Sequence, residues 1–219
     1  MDVILLASGT GSRTNLSKPK QMLELGGKPI LYRLIDFFYQ ISFIDNIIIT
    51  TNELILTSVT ECVCKYSNVK VIIGGKTRQQ SVYKALSYVK TKEVMIHEAA
   101  RPFIDYDLVK RIFDCPKRPV VPYTKSTSTL YNINDSDYVN RDYIVNIQLP
   151  QIYCAKDLRT AHRLAIDKTY PDDSSLLFGE LNIRPNLVEG SEYNIKITTP
   201  FDVDVSEVLY EKGNCCRGE

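Results

Sequence analysis

The chain begins with an uncharged apolar run at residues 3–7 that stops abruptly at Ser8-Gly9. Similar runs recur at residues 46–51, 69–73, 94–97 and 119–122. Short, continuous apolar runs rich in β-branched residues predict strands buried on both faces. Stretches with helical periodicity separate them, at residues 29–40, 53–66, 78–89 and 105–114. In the first, Ile30, Leu31, Leu34, Ile35 and Phe38 share one face, and Pro29 suits the first turn. Further helices are predicted at residues 155–167 and 200–210, the second again opening on proline. This alternation predicts an α/β fold with a mostly parallel sheet and helices on both faces.

Residues 123–144 break the rhythm. They are rich in Ser, Thr, Asn, Asp and Tyr, and two strand-like stretches flank a turn-forming cluster at 132–137. They predict a β-hairpin arm. An isolated two-stranded arm is marginal in water, so a second subunit is its natural support. No repeat or long linker divides the rest, and the expectation is one domain over residues 1–219 with an arm at about 123–144.

Composition narrows the partners. The 219 residues include 27 Lys plus Arg and 26 Asp plus Glu, a net charge of +1. A chain that coats nucleic acid needs a basic excess, so no nucleic-acid partner is expected. No run reaches the length of about 18 apolar residues needed to span a membrane, so no membrane partner is expected either. No basic segment precedes the first apolar run, which reads as a strand rather than a signal peptide. The expected location is cytoplasmic, with the six cysteines as free thiols.

Four segments carry candidate chemistry. In the first, Ser8-Gly9-Thr10-Gly11-Ser12-Arg13 leaves the first strand and leads to Lys18-Pro19-Lys20-Gln21. Glycines at the end of a parallel strand let backbone N–H groups approach phosphate oxygens, and Arg13 and Lys20 add charge nearby. A dinucleotide fingerprint would need Gly where Thr14 stands, and a P-loop ending at Thr77 would need Gly where Lys70 stands. Second, Gly74-Gly75-Lys76-Thr77 leads into a helix with Ser81 in its first turn, and such a helix start suits a polar or anionic ligand. Third, His97-Glu98-Ala99-Ala100-Arg101 ends a strand, where Glu98 suits metal or ribose hydroxyls and Arg101 suits phosphate. Fourth, Asn194-Ile195-Lys196-Ile197 alternates polar and apolar residues before a Thr-Pro helix start.

In this order, the segments resemble the cytidylyltransferases that act on polyol phosphates, a family that includes methylerythritol 4-phosphate and ribitol 5-phosphate enzymes. Arg141 followed by Pro150-Gln151 extends the match over nearly the whole chain. The resemblance implies a Rossmann-like core and an arm interlocking a homodimer, with CTP and a polyol phosphate as partners and Mg²⁺ or another divalent cation as cofactor. By resemblance Arg13 and Lys20 stabilise the transition state, and Arg141 and Lys196 complete the catalytic set. Ala7, Ser8, Gly9, Thr10 and Gly11 cradle the triphosphate, while Gly75, Lys76, Ser81 and Glu98 serve the nucleotide. Arg101, Ser126, Arg141 and Lys196 fall to the acceptor, and the metal rides mainly on the CTP phosphates, with Glu98 as a possible ligand.

Departures from the family pattern are Ser8, Lys76, Glu98, Leu149 and Pro171. Leu149 and Pro171 replace threonines on the acceptor side, so the triphosphate side is the better preserved. Two other readings stay open: a nucleotidyltransferase using another NTP or a sugar phosphate, and a non-catalytic dimeric nucleotide-binding protein.

Overall fold

The computed structural model describes residues 1–9 and 19–216. In chain order the elements are β1 (Asp2–Ala7), β2 (Glu24–Leu25), β3 (Lys28–Pro29), α1 (Ile30–Gln40), β4 (Ile47–Thr51), α2 (Leu56–Val63), β5 (Val69–Ile73), α3 (Arg78–Leu86), β6 (Glu93–Glu98), α4 (Tyr106–Asp114) and β7 (Val120–Lys125). There follow β8 (Leu130–Asn132), β9 (Asp137–Val139), β10 (Val145–Ile147), β11 (Gln151–Cys154), α5 (Ala155–Leu164), α6 (Asp173–Leu181), β12 (Asn186–Glu189) and α7 (Pro200–Glu211).

The main sheet runs β10-β7-β11-β6-β1-β4-β5, with β12 also beside β7. The pairs β5–β4, β4–β1, β1–β6 and β7–β12 are parallel. Antiparallel β11 is wedged between β6 and β7. The central half is the predicted α/β unit. From β1 the chain steps outward to β4 and β5, then returns to place β6 on the other side of β1. That reversal opens a crevice at the carboxyl ends of β1 and β6, where open α/β sheets bind ligands.

Side chains alternate across β1. Val3, Leu5 and Ala7 face α1, α2 and α4 through Leu31, Leu34, Phe38, Val59 and Leu108. Ile4 and Leu6 face α3, α5 and α6 through Val82, Ala85, Leu158 and Leu177. A third cluster joins Leu25, Ile30, Phe103 and Ile197 to Val203 and Leu209 of α7. It fastens the segment carrying Lys196 to the base of the crevice.

The structure refines several sequence expectations. Pro29 is the N-cap of α1 rather than its first helical residue. The helix expected at 53–66 contracts to α2, whereas α7 begins with Pro at its first turn as expected. The last expected strand continues to Lys125, so the excursion starts later than residue 123. Beyond Lys125 the arm holds the separate two-stranded sheet β8–β9, and the chain returns through β10 to the edge of β7. All six cysteines are free. No helix among the described residues is long and apolar enough to cross a membrane.

Candidate active site

A cleft of about 220 Å³ lies at the carboxyl ends of β1 and β6. Its lining unites Ala7, Ser8, Gly9, Lys20, Gly75, Lys76, Ser81, Glu98 and Lys196 from the candidate segments. The β1 and β5 loops meet tightly beside it. A Cβ added to Gly74 would lie 2.7 Å from Ser8 Cβ, and one on Gly75 would lie 2.3 Å from Gln80 Cβ. Only glycine fits either position without moving these neighbours.

The start of α3 is shaped by short-range hydrogen bonds. Thr77 Oγ1 accepts from Gln80 N at 3.1 Å, capping the helix. Ser81 Oγ accepts from Gly75 N at 2.9 Å and donates to Thr77 O at 2.9 Å. Its Oγ also lies 3.0 Å from Ser8 Oγ, so Ser81 staples the two loops together. Gln21 anchors the far side of the first loop, donating from Nε2 to Ala7 O at 2.7 Å.

Glu98 is the electrostatic hub. It is only 9% exposed. Lys196 Nζ lies 2.5 Å from its Oε2, and Arg78 Nε donates to its Oε1 at 2.9 Å. Burial alone would raise the Glu98 pKa; the nearby Lys196 and Arg78 charges reverse that and hold it at about 2. Arg78 continues the chain of charge inward, with Nη2 2.7 Å from Asp173 Oδ2. Asp173 is 1% exposed, and its Oδ1 lies 3.2 Å from His162 Nε2. The His162 ring stacks on Tyr83. Four ionised groups, Lys196, Glu98, Arg78 and Asp173, thus alternate in sign from the cleft into the core.

Three sequence-predicted residues lie elsewhere. Arg101 does not line the cleft; its Nη1 donates to Asn194 O at 2.7 Å and clamps the loop that carries Lys196. Ser126 and Arg141 sit in the arm, where Arg141 Nη1 donates to Thr127 O at 2.7 Å. Thr10, Gly11 and Arg13 lie outside the described residues. Leu149 is buried in the apolar layer and its carbonyl accepts from Asn194 Nδ2 at 2.5 Å. Sequence reasoning missed Gln21, Arg78, Asp173 and His162. Arg78 opens the helix after the Gly-Gly turn, but no local pattern joins it to Asp173, so distant in sequence.

A family profile described as "IspD: 2-C-methyl-D-erythritol 4-phosphate cytidylyltransferase" matches residues 1–212. The chain belongs to the IspD family. A 2-C-methyl-D-erythritol 4-phosphate cytidylyltransferase of Azobacteroides pseudotrichonymphae is 33% identical, over 95% of this chain and 98% of its own. A ribitol-5-phosphate cytidylyltransferase of Streptococcus agalactiae is 32% identical, over 95% of this chain and 94% of its own. A solved IspD-family fold, the 4-diphosphocytidyl-2C-methyl-D-erythritol synthase of Anaerococcus prevotii, superposes with a TM-score of 0.85 at 26% identity. That match covers 96% of this chain and 95% of the other.

His97, beside this IspD-family cleft, is packed in the core and does not line the cleft. It is fully buried against Phe38, and its Nε2–H donates to Arg101 O at 2.9 Å. Burial lowers its pKa to about 4. The unfolded chain therefore takes up a proton near the ordinary histidine pKa of about 6.5 while the folded chain stays neutral. Stability is expected to fall as pH drops from about 6.5 to about 4, by up to about 1.4 kcal/mol per pH unit from this residue. Urea melts of the wild type and His97→Gln across that range check this. The variant's stability should fall less steeply with acid, and parallel slopes would contradict it.

Proposed function

We propose that this chain transfers CMP from CTP to a polyol phosphate, releasing pyrophosphate and forming a CDP-polyol. The observation that carries the reading is one cleft where Ser8 and Gly9 after β1, the start of α3, Lys20 and Lys196 converge. An oxygen of the acceptor phosphate attacks the α-phosphorus of CTP. The new P–O bond forms as the bond to the β-phosphate oxygen breaks, and pyrophosphate leaves with the electron pair. A phosphate monoester has a second pKa of about 6, so its attacking oxygen is already deprotonated at neutral pH. No general base is needed, and the obstacle is repulsion between anions and charge growing on the leaving group.

In this reading, backbone N–H groups of residues 7–11 cradle the triphosphate, and Gly75, Lys76 and Ser81 bound the cytidine pocket. Arg13 and Lys20 oppose the developing charge. Lys196, the Arg101-clamped loop, Ser126 and Arg141 serve the acceptor. Because Arg141 lies in the arm, it is offered to the cleft of a second subunit. Mg²⁺ fits as a cation carried mainly by CTP and water, where it offsets phosphate charge. Among the described residues no group of three or more His, Cys, Asp or Glu could hold a metal ion. Such a cation keeps water and phosphate ligands without a protein cage. Both Glu98 oxygens face cations, so a metal there would share the carboxylate with Arg78 and Lys196.

The test is pyrophosphate release with each of the four ribonucleoside triphosphates. The acceptors are methylerythritol 4-phosphate, ribitol 5-phosphate and glycerol 3-phosphate. Release with CTP and one polyol phosphate is expected. Efficient release with another triphosphate would overturn the CTP assignment, and tight CTP binding without release on any acceptor would favour a binding protein.

The arm supports the homodimer. It exposes Tyr131 and Tyr138 on a two-stranded sheet too small to be stable alone, with Ile133 exposed in the turn after β8 and Tyr143 exposed in the 3₁₀ turn Arg141–Tyr143. Light scattering at micromolar concentration is expected to give twice the chain mass, and the double variant I133D/Y138D is expected to give one chain mass with reduced turnover. A monomeric wild type would remove the arm's proposed role.

A further inference from the structure

Lys196 Nζ and Glu98 Oε2 are 2.5 Å apart. Under the proposed function the same ammonium holds the acceptor phosphate, so this pair must open or be shared when substrate arrives. A carboxylate that is 9% exposed cannot lose its counter-charge without being destabilised. The other cation on Glu98 does not need to move. Arg78 donates from Nε to Glu98 Oε1 at 2.9 Å, while its Nη2 lies 2.7 Å from Asp173 Oδ2. Asp173 is buried at the start of α6 and also meets His162. Arg78 itself opens α3, behind the Thr77 cap. The guanidinium is therefore held from two elements, by Glu98 at the end of β6 in the cleft and by Asp173 of α6 in the core.

We propose that Arg78 is a positioning residue for the transfer reaction, holding Glu98 charged and in place while Lys196 exchanges Glu98 for the acceptor phosphate. This rests on the polyol-phosphate reading above. The division of labour follows from the chemistry of the two cations. Lys196 is a point charge on a flexible stem, 37% exposed, with three donors on one atom. It can share or exchange an anionic partner at little geometric cost. Arg78 uses separate nitrogens for two carboxylates, at the fixed spacing of a planar fork. A lysine at position 78 has its donors on one nitrogen and cannot reproduce the two-nitrogen spacing that meets both carboxylates. Glu98 would then compete with the incoming dianion for Lys196, and the loss would fall on the acceptor.

A double-mutant cycle in steady-state pyrophosphate release tests this, using the wild type, R78K, E98Q and R78K/E98Q, each with its Tm. With the best acceptor, R78K is expected to lower kcat/KM for the acceptor by about tenfold, a larger change than it makes in KM for CTP. In the E98Q background the same change is expected to cost less than about twofold, because the group that Arg78 positions is already gone. Losses of equal size in both backgrounds would show that Arg78 acts on substrate directly or through the fold, and overturn the proposal. So would an R78K enzyme with unchanged acceptor kinetics. If R78K does not fold, D173N takes its place, since it weakens the anchor of Arg78 and should couple to E98Q in the same way. A wild type that turns over no acceptor removes the functional reading and this proposal together. An active wild type with additive losses removes only this proposal.

Discussion

Lys20→Ala is expected to lower kcat by about 10²–10³ with CTP and the preferred acceptor, while Tm stays nearly unchanged. Lys20 begins the short 3₁₀ turn Lys20–Met22 and points into the cleft, with Nζ 3.4 Å from Ile197 O. Its charge also reaches Asp202. Burial would raise that carboxyl's pKa, but the Thr199 and Thr198 N–H groups and, more weakly, Lys20 hold it below its usual value. The ammonium thus shares the cleft with Ser8, Gly9 and Lys196, where, in the proposed reaction, negative charge would grow as pyrophosphate departs. Stabilisation aimed at developing charge acts on the transition state more than on bound substrate, so the loss should appear in kcat rather than KM. The side chain is half-buried and outside the apolar clusters, so a fold change is not expected. Arg13→Ala is expected to behave alike. A Lys20→Ala enzyme with near-normal kcat would remove Lys20 from its assigned role.

Asp173→Ala is expected to destabilise the fold by about 3–5 kcal/mol, the cost of stranding a buried charge. The carboxylate is 1% exposed and lies between Arg78 and His162. Burial pushes its pKa up, and Arg78 and His162 more than reverse this, leaving it below the usual aspartate value. A depressed carboxylate contributes stability that is complete above its unfolded pKa and lost as pH falls through the folded one. Loss of this contribution on substitution should therefore be fully visible at pH 7 and shrink in strong acid. Its neighbour provides a control. Asp172 caps α6 in a capping box with Ser175, so Asp172→Ala should cost only about 1 kcal/mol. Urea unfolding of both variants at pH 7 gives the comparison. Equal, small losses would mean that the Arg78–Asp173 pair does not support the fold.

The central sheet was legible because its signals are local. Apolar runs became β1, β4, β5 and β6, and the helical periods between them became the layers on each face. The Gly-Gly turn, the Thr77 cap and the Thr199-Pro200 helix start lay where their residue types placed them. The antiparallel wedge β11 and the edge strands β10 and β12 were not anticipated. Each is only three or four residues long, and its pairing depends on partners distant in sequence.

The same limit governed the site. Which residues are cationic, which glycines sit after which strand, and where a helix starts follow from the sequence alone, since backbone geometry and charge are properties of short segments. Which charges meet was decided only by the tertiary structure. Arg101, read as a phosphate ligand, clamps the Asn194 loop, and Arg141 lies in the arm, away from the cleft of its own chain. Glu98 lies between Arg78 and Lys196, and Asp173 holds Arg78 from the core. Charge pairing acts through space over a few ångströms, and the fold brings together residues separated by about a hundred positions, a distance that no sequence periodicity records.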